Sequence, residues 1–181
     1  MMAIKITAPG EYFAQVMAVF RERITQSITV MGYDDIWHQE IISPSVVIQL
    51  EDSHPGPRHP SGKYTHRMTV TAHCILPASI PGAMLQATDL AAEVERIIDL
   101  NNFGISVDCC GLPEIQVNGD TSFLFGIDGM VARGVQWIQP LYLGKDWFED
   151  YPGDEVRAGI FYEVEQNALM AGSDTTGNQY E

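Results

Sequence analysis

Residues 64–76 read YTHRMTVTAHCIL. Tyr64, His66, Met68, Val70, Ala72 and Cys74 fall on one side of an extended chain, and Thr65, Arg67, Thr69, Thr71 and His73 on the other. Side chains alternate across a strand, so an unbroken period of two over this length predicts a long β-strand. Its polar second row predicts an antiparallel sheet with only one side fully covered.

The rest of the fold is read outward from this strand. Upstream, residues 51–63 contain Pro55, Gly56, Pro57, Pro60 and Gly62. Prolines lack the N–H that a ladder needs, and the segment predicts a long surface loop. Before it, Pro44 opens a strand over 45–50 with the β-branched run Val46, Val47, Ile48, and a short strand is expected over 35–42, after Gly32. Over 11–28, Phe13, Val16, Met17, Phe20, Ile24 and Ile28 recur mostly every three or four residues, opposite Arg21, Glu22, Arg23 and Gln26. That spacing predicts an amphipathic helix lying on a core.

Downstream, Pro81 starts a second helix running to about Leu100, with Ala83, Ala87, Leu90, Val94, Ile97 and Ile98 as its apolar stripe. Asn101, Asn102 and Gly104 accept the left-handed geometry that ends helices. One or two short strands are expected in 105–117, a turn at Asn118-Gly119-Asp120, and a final strand over 132–143. Pro140 inside that strand argues for an edge position or a break near its end. Helix, strands, helix, strands without repeating βαβ units is an α+β pattern: a mostly antiparallel sheet with two main helices packed on it. Residues 1–144 form the expected domain. Residues 145–181 are an acidic C-terminal extension whose end, rich in Gly, Ser, Thr, Asp and Asn from Ala171, is expected to be mobile.

Composition narrows the function classes. With 181 residues, 45% of them hydrophobic, the chain is long enough to bury a core. The net charge of -14, from 24 acidic and 10 basic residues, opposes a surface for binding phosphate backbones. Asp146 to Glu181 holds nine carboxylates against Arg157 alone. No apolar run approaches the about 18 residues of a membrane span, and the first dozen residues lack the apolar stretch of a secretory signal. A cytoplasmic location and no membrane contact are therefore expected.

The motifs of nucleotide-binding loops, zincins and serine hydrolases are absent. Cys74, Cys109 and Cys110 are odd in number and lack a CxxC pair, and Cys74 reads as a small core residue. His54, His59 and Asp52 could in principle reach one metal and serve a metal-dependent hydrolase. A loop holding two histidines between prolines is more commonly surface or interface, and no metal or other cofactor is expected. His66 and His73 point to opposite faces of their strand and cannot share a site. The chain is therefore not expected to be an enzyme. The interface candidates are His54, Arg58 and His59 of the loop, Trp137 and Tyr142 of the last strand, and Trp147, Phe148 and Tyr151 amid acidic residues.

The order and character of these pieces resemble a family, the tail terminator proteins of long-tailed bacteriophages with their related minor tail proteins. The resemblance spans 13–144. It is carried by FAQVMAVFRERI (13–24), PSVVIQL (44–50) with its polar loop, YTHRMTVTAHCIL (64–76), MLQATDLAAEVERIIDL (84–100) and GVQWIQPLYLG (134–144), in which Trp137 and Gly144 match the family's tryptophan-containing final strand and its terminal glycine. The loop 52–62 and the extension beyond Gly144 are not part of that pattern.

The resemblance implies a structural protein of the virion tail or neck, made in the host cytoplasm. It would form a ring, a hexamer, that caps the tail tube, ends its polymerisation and joins the head connector, with the sheath as a further partner in a contractile tail. DNA would pass through without specific binding, and carboxylates facing the lumen would repel its phosphates. Lysines in their place should then slow DNA ejection. A head-tail connector or tail-completion protein is the alternative of similar composition.

Overall fold

A computed structural model describes residues 3–25, 27–38, 41–125 and 129–147 of the chain. The chain divides into two units between Gly144 and Lys145, and the account of the fold that follows is of the first. The alternating stretch is a strand, Tyr64–Pro77 (β3), as its period requires. It lies at the centre of a five-stranded sheet of order β1-β2-β3-β5-β4, where β1 is Thr29–Gly32, β2 Ser45–Pro55, β4 Glu114–Asp120 and β5 Met130–Leu143. Only β1 and β2 are parallel, so the sheet is mostly antiparallel and the fold is α+β.

Two main helices, α1 (Pro9–Arg23) and α2 (Ala83–Ile98), cover one face; a short third, α3 (Ser122–Phe125), links β4 to β5. In α1, Pro9 occupies the first turn, where its missing N–H costs nothing. The carboxylate of Glu11 accepts a hydrogen bond from the Thr7 amide, and Arg21 and Arg23 in the last turn suit the negative end of the helix dipole. The helix ends at Arg23, five residues short of the expected end, and Ile24 is already extended. Thr25, Ser27 and Thr29 are weak helix formers, and Ile28 N–H instead bonds Thr25 O at 3.0 Å. In α2 the expected stripe, joined by Ala91, is buried. Beyond it Leu100 and Phe103 take positive φ, at 52° and 54°, held by Asn101, which donates to Ile97 O and accepts from the Phe103 amide.

The main core lies between the helices and the sheet. Met68, Val70, Ala72, Cys74 and Leu76 of β3 meet Tyr12, Val16 and Phe20 of α1, the α2 stripe, and Val135, Trp137 and Leu141 of β5. Phe20 stacks between Phe103 and Trp137, 6.4 Å from each ring, and Tyr12 meets Phe103 edge-on at 6.0 Å. A second cluster on the opposite face contains Met31, Ile41, Val47, Ile75 and Ala132, with Tyr33 and Ile36 of the 3-10 turn Tyr33–Trp37 packed against it. The polar face is therefore more covered than its composition predicted. Thr65, Thr71 and His73 are buried, His73 between Thr121 and Gln49 at 3.3 Å each.

Several expectations need correction. The strand expected over 35–42 is instead the 3-10 turn, because the Asp35 side chain accepts from the Gly32 amide and curls the chain; residues 39–40 lie outside the described residues. Glu51–Pro55 is not loop but continues β2, past a register shift between Leu50 and Asp52, with Pro55 at the strand's end where it interrupts nothing. Asn118-Gly119-Asp120 is not a turn but is paired along β5, opposite Val135, Gly134 and Arg133. The last strand is not an edge: β5 lies between β3 and β4, and the edges are β1 and β4. Pro140 is tolerated because a strand residue presents N–H and C=O to the same neighbour. Its carbonyl faces Gly111 (2.8 Å), so its missing donor lies on the side where β4 has already ended, at Glu114 opposite Ile138.

Candidate assembly surface

The residues singled out in the sequence separate into three places. The loop after β2 is folded against the body of the protein. Gly56 N–H bonds Thr65 O (2.9 Å), the Thr65 hydroxyl donates to Pro57 O (2.7 Å), and Gly62, at φ 87°, closes a turn onto His59 O (2.8 Å). Arg58 donates to Gly62 O at 2.9 Å. His59 Nδ1 meets Ser61 Oγ at 2.9 Å while its ring sits 4.3 Å from that of Tyr142. The Tyr142 amide bonds Cys109 O, and Lys63 Nζ reaches Asp108 O, so the loop, the end of β5 and residues 108–111 form one ordered corner.

His54 stands elsewhere, exposed on the end of β2 and 3.2 Å from Asp52. His59 faces Tyr142 and Ser61 instead, so the two loop histidines and Asp52 are not assembled as a metal-binding set. Among the described residues no group of three His, Cys, Asp or Glu side chains is placed to hold a metal ion. The cysteines are buried and free, and burial pushes the Cys74 and Cys110 thiols up to about 12, where little thiolate forms at neutral pH.

Trp137 is the clear correction. It is fully buried, and its indole N–H donates to the Tyr12 hydroxyl at 3.2 Å. That hydroxyl donates to Gln139 Oε1, and the Gln139 amide donates to Gly111 O. The chain of buried polar groups ties α1 to β5 and to residue 111, and burial raises the Tyr12 phenol well above its ordinary value. An indole so enclosed belongs to the core and cannot anchor a partner. Trp147 is 59% exposed; Phe148 and Tyr151 lie outside the described residues.

The surface that sequence reasoning missed is the β4 edge. Ile115 and Val117 are exposed, and just beyond the strand Phe123 and Leu124 of α3 are 76% and 52% exposed. A shift between Ile115 and Val117 interrupts the pairing with β5. Beside Ile115 an open groove runs along α2, lined by Asp89, Ala92, Glu95, Arg96 and Asp99. The alternation EIQVN at 114–118 was visible in the sequence. Which strand would be left at the edge depended on the sheet order, which no local pattern contains.

No protein-family model matches the chain, and no curated protein does. Among solved structures the chain is similar to the PVC sheath/tube terminator of an extracellular contractile injection system in its extended state, with TM-score 0.43 and 14% identity over 97% of this chain and 74% of that one. Among the described residues no helix is long and apolar enough to cross a membrane.

Proposed function

We propose that this chain is a structural subunit of a tail-like particle. Copies join in a ring, six by the resemblance of 13–144 to tail terminators, which seats on the end of the tail tube, stops its growth and meets the head-side connector. The observation that carries this reading is the β4 edge. Unpaired strand edges template association, and soluble proteins commonly blunt them with lysine, proline or a covering element. Here the edge offers Ile115 and Val117, with Phe123 and Leu124 beside its end. The corner of His59 and Tyr142 and the exposed Trp147 are further candidates for contacts with tube, sheath or connector. The charge of -14 suits a protein through which DNA slides without adhering.

The test is the mass of the full-length protein in solution, alone and mixed with tail-tube protein. A ring of about six copies, or one that forms only on the tube and halts its growth, is the expected result. A monomer that ignores the tube would overturn it, and binding to a portal or connector without tube capping would favour a connector role.

A further inference from the structure

The turn signal that lies inside a strand carries chemistry of its own. Asn118-Gly119 is the one Asn-Gly step in the sequence. In a flexible chain such a step deamidates without a catalyst. The Gly nitrogen has no side chain beside it to hinder attack, and glycine lets the backbone fold back onto the Asn carboxamide. The nitrogen gives up its proton to hydroxide and attacks Cγ. The Cγ–Nδ2 bond then breaks, and ammonia leaves with a proton taken from water. A second water opens the five-membered imide. Cleavage at Cγ leaves aspartate; cleavage at the main-chain carbonyl leaves isoaspartate, whose backbone runs through Cβ and Cγ and is a methylene longer. Nothing is oxidised or reduced, and the net change is water consumed and ammonia released.

Strand β4 holds both reacting groups. Asn118 and Gly119 are half-buried, opposite Val135 and Gly134. Thr121 N–H bonds Ala132 O at 3.0 Å. Bonded pairs alternate along an antiparallel ladder, so the Gly119 N–H, two residues earlier, faces Gly134 O. The nucleophile is therefore occupied. The carboxamide is gripped from the other side: Arg133 Nε donates to Asn118 Oδ1 at 2.6 Å and Arg133 Nη2 to Asn118 O at 3.3 Å. One guanidinium thus pins the side chain and the carbonyl of the same residue, which keeps Cγ from swinging onto the next nitrogen. This grip matters because β4 is an edge of the sheet, and edges open at a lower free energy than the whole fold. We propose that Asn118-Gly119 is a latent deamidation site and that Arg133 is the residue that keeps it closed. Each opening of the edge exposes the step to attack, and closing does not undo the product. Aspartate at 118 still faces the Arg133 guanidinium. Isoaspartate lengthens the backbone and moves Gly119 and Asp120 out of register with Gly134 and Arg133, so ageing unmakes this edge first.

The test ages the full-length protein in mildly alkaline buffer and follows position 118 by peptide mass spectrometry, with aspartate and isoaspartate resolved. The folded wild type should deamidate there at least about tenfold more slowly than the same chain unfolded in urea, since attack waits on local opening. Arg133→Met keeps the length of the side chain and removes its donors. It should age about fivefold or more faster than the wild type while still folded, as judged by its urea midpoint. Val16→Ala, which weakens the core under α1 far from β4, should lower the urea midpoint and leave the rate at 118 near that of the wild type. A folded wild type that ages as fast as the unfolded chain would overturn the proposal without need of any variant. An Arg133→Met chain that ages no faster than the wild type would show that Arg133 does not hold the step closed, and one that ages more slowly would make the guanidinium a promoter of attack. Equal acceleration in Val16→Ala and Arg133→Met would mean that global unfolding, not the edge, exposes the site.

Discussion

The centre and the edges of the sheet are built on different terms. β3 and β5 are 14 residues each and pair without a break from Tyr64 opposite Leu143 to Pro77 opposite Met130. Their inward rows hold the core, including Trp137. By contrast, β1 has four residues, and β4 has seven, with a register shift and side chains that are exposed or half-exposed throughout. Burial of apolar area is the main source of folding free energy, so the centre carries stability. Of the two edges, β1 still places Met31 in the second cluster, whereas β4 contributes little and is free to serve association. A substitution in the centre should act on folding, and one at the edge on assembly with folding nearly unchanged.

The strongest challenge to that division is Trp137→Ala. It leaves a cavity beside Phe20 and Phe103 and strips the Tyr12 hydroxyl of a donor, so urea unfolding should show a loss of about 3–5 kcal/mol. A loss under about 1 kcal/mol would mean that the ring stack is not what holds α1 to the sheet.

Acid gives the next largest effect. Burial holds the His73 imidazole down to about 4, against an ordinary 6.5, with Glu51 opposing the shift only in part. The folded chain refuses a proton that the unfolded chain accepts. Stability is therefore full above pH 6.5 and falls as the pH drops toward 4, by on the order of 3 kcal/mol from this group. His73→Gln should flatten that part of the stability–pH curve, and an unchanged slope would show that His73 is not the group responsible.

The smallest expected change in stability is at the edge. Val117→Lys should alter unfolding by no more than about 0.5 kcal/mol, yet abolish self-association measured by sedimentation, because lysine on an open edge blocks strand addition. If the variant assembles normally, β4 is not a joint.

The same division explains what the sequence disclosed. Wherever period and burial act together the elements were legible: β3 from its alternation, α2 from its stripe, the α+β class from their order. Errors clustered where local chemistry and tertiary pairing disagree. Asn118, Gly119 and Asp120 have turn chemistry, yet the length of β5 recruits them into β4. Pro140 reads as an edge signal, yet it sits in an interior strand because only its β4 side lacks a donor. For the candidate surface, tryptophan content could not separate Trp137 from Trp147. Inward or outward orientation is a property of the assembled sheet, and the exposure of Ile115 and Val117 follows from strand order alone.

Gly134 has a consequence for how this fold can diverge. It pairs with His73 on β3 and Gly119 on β4, and a Cβ placed there would come within 2.6 Å of the Thr121 methyl group and 3.3 Å of that of Thr71. Thr121 cannot simply rotate away, because its hydroxyl meets His73 Nδ1 at 3.3 Å. Positions 134, 121 and 73 are therefore coupled. In descendants of this chain they should change together or not at all, so that a larger residue at 134 is accompanied by a smaller one at 121 and by a non-histidine at 73.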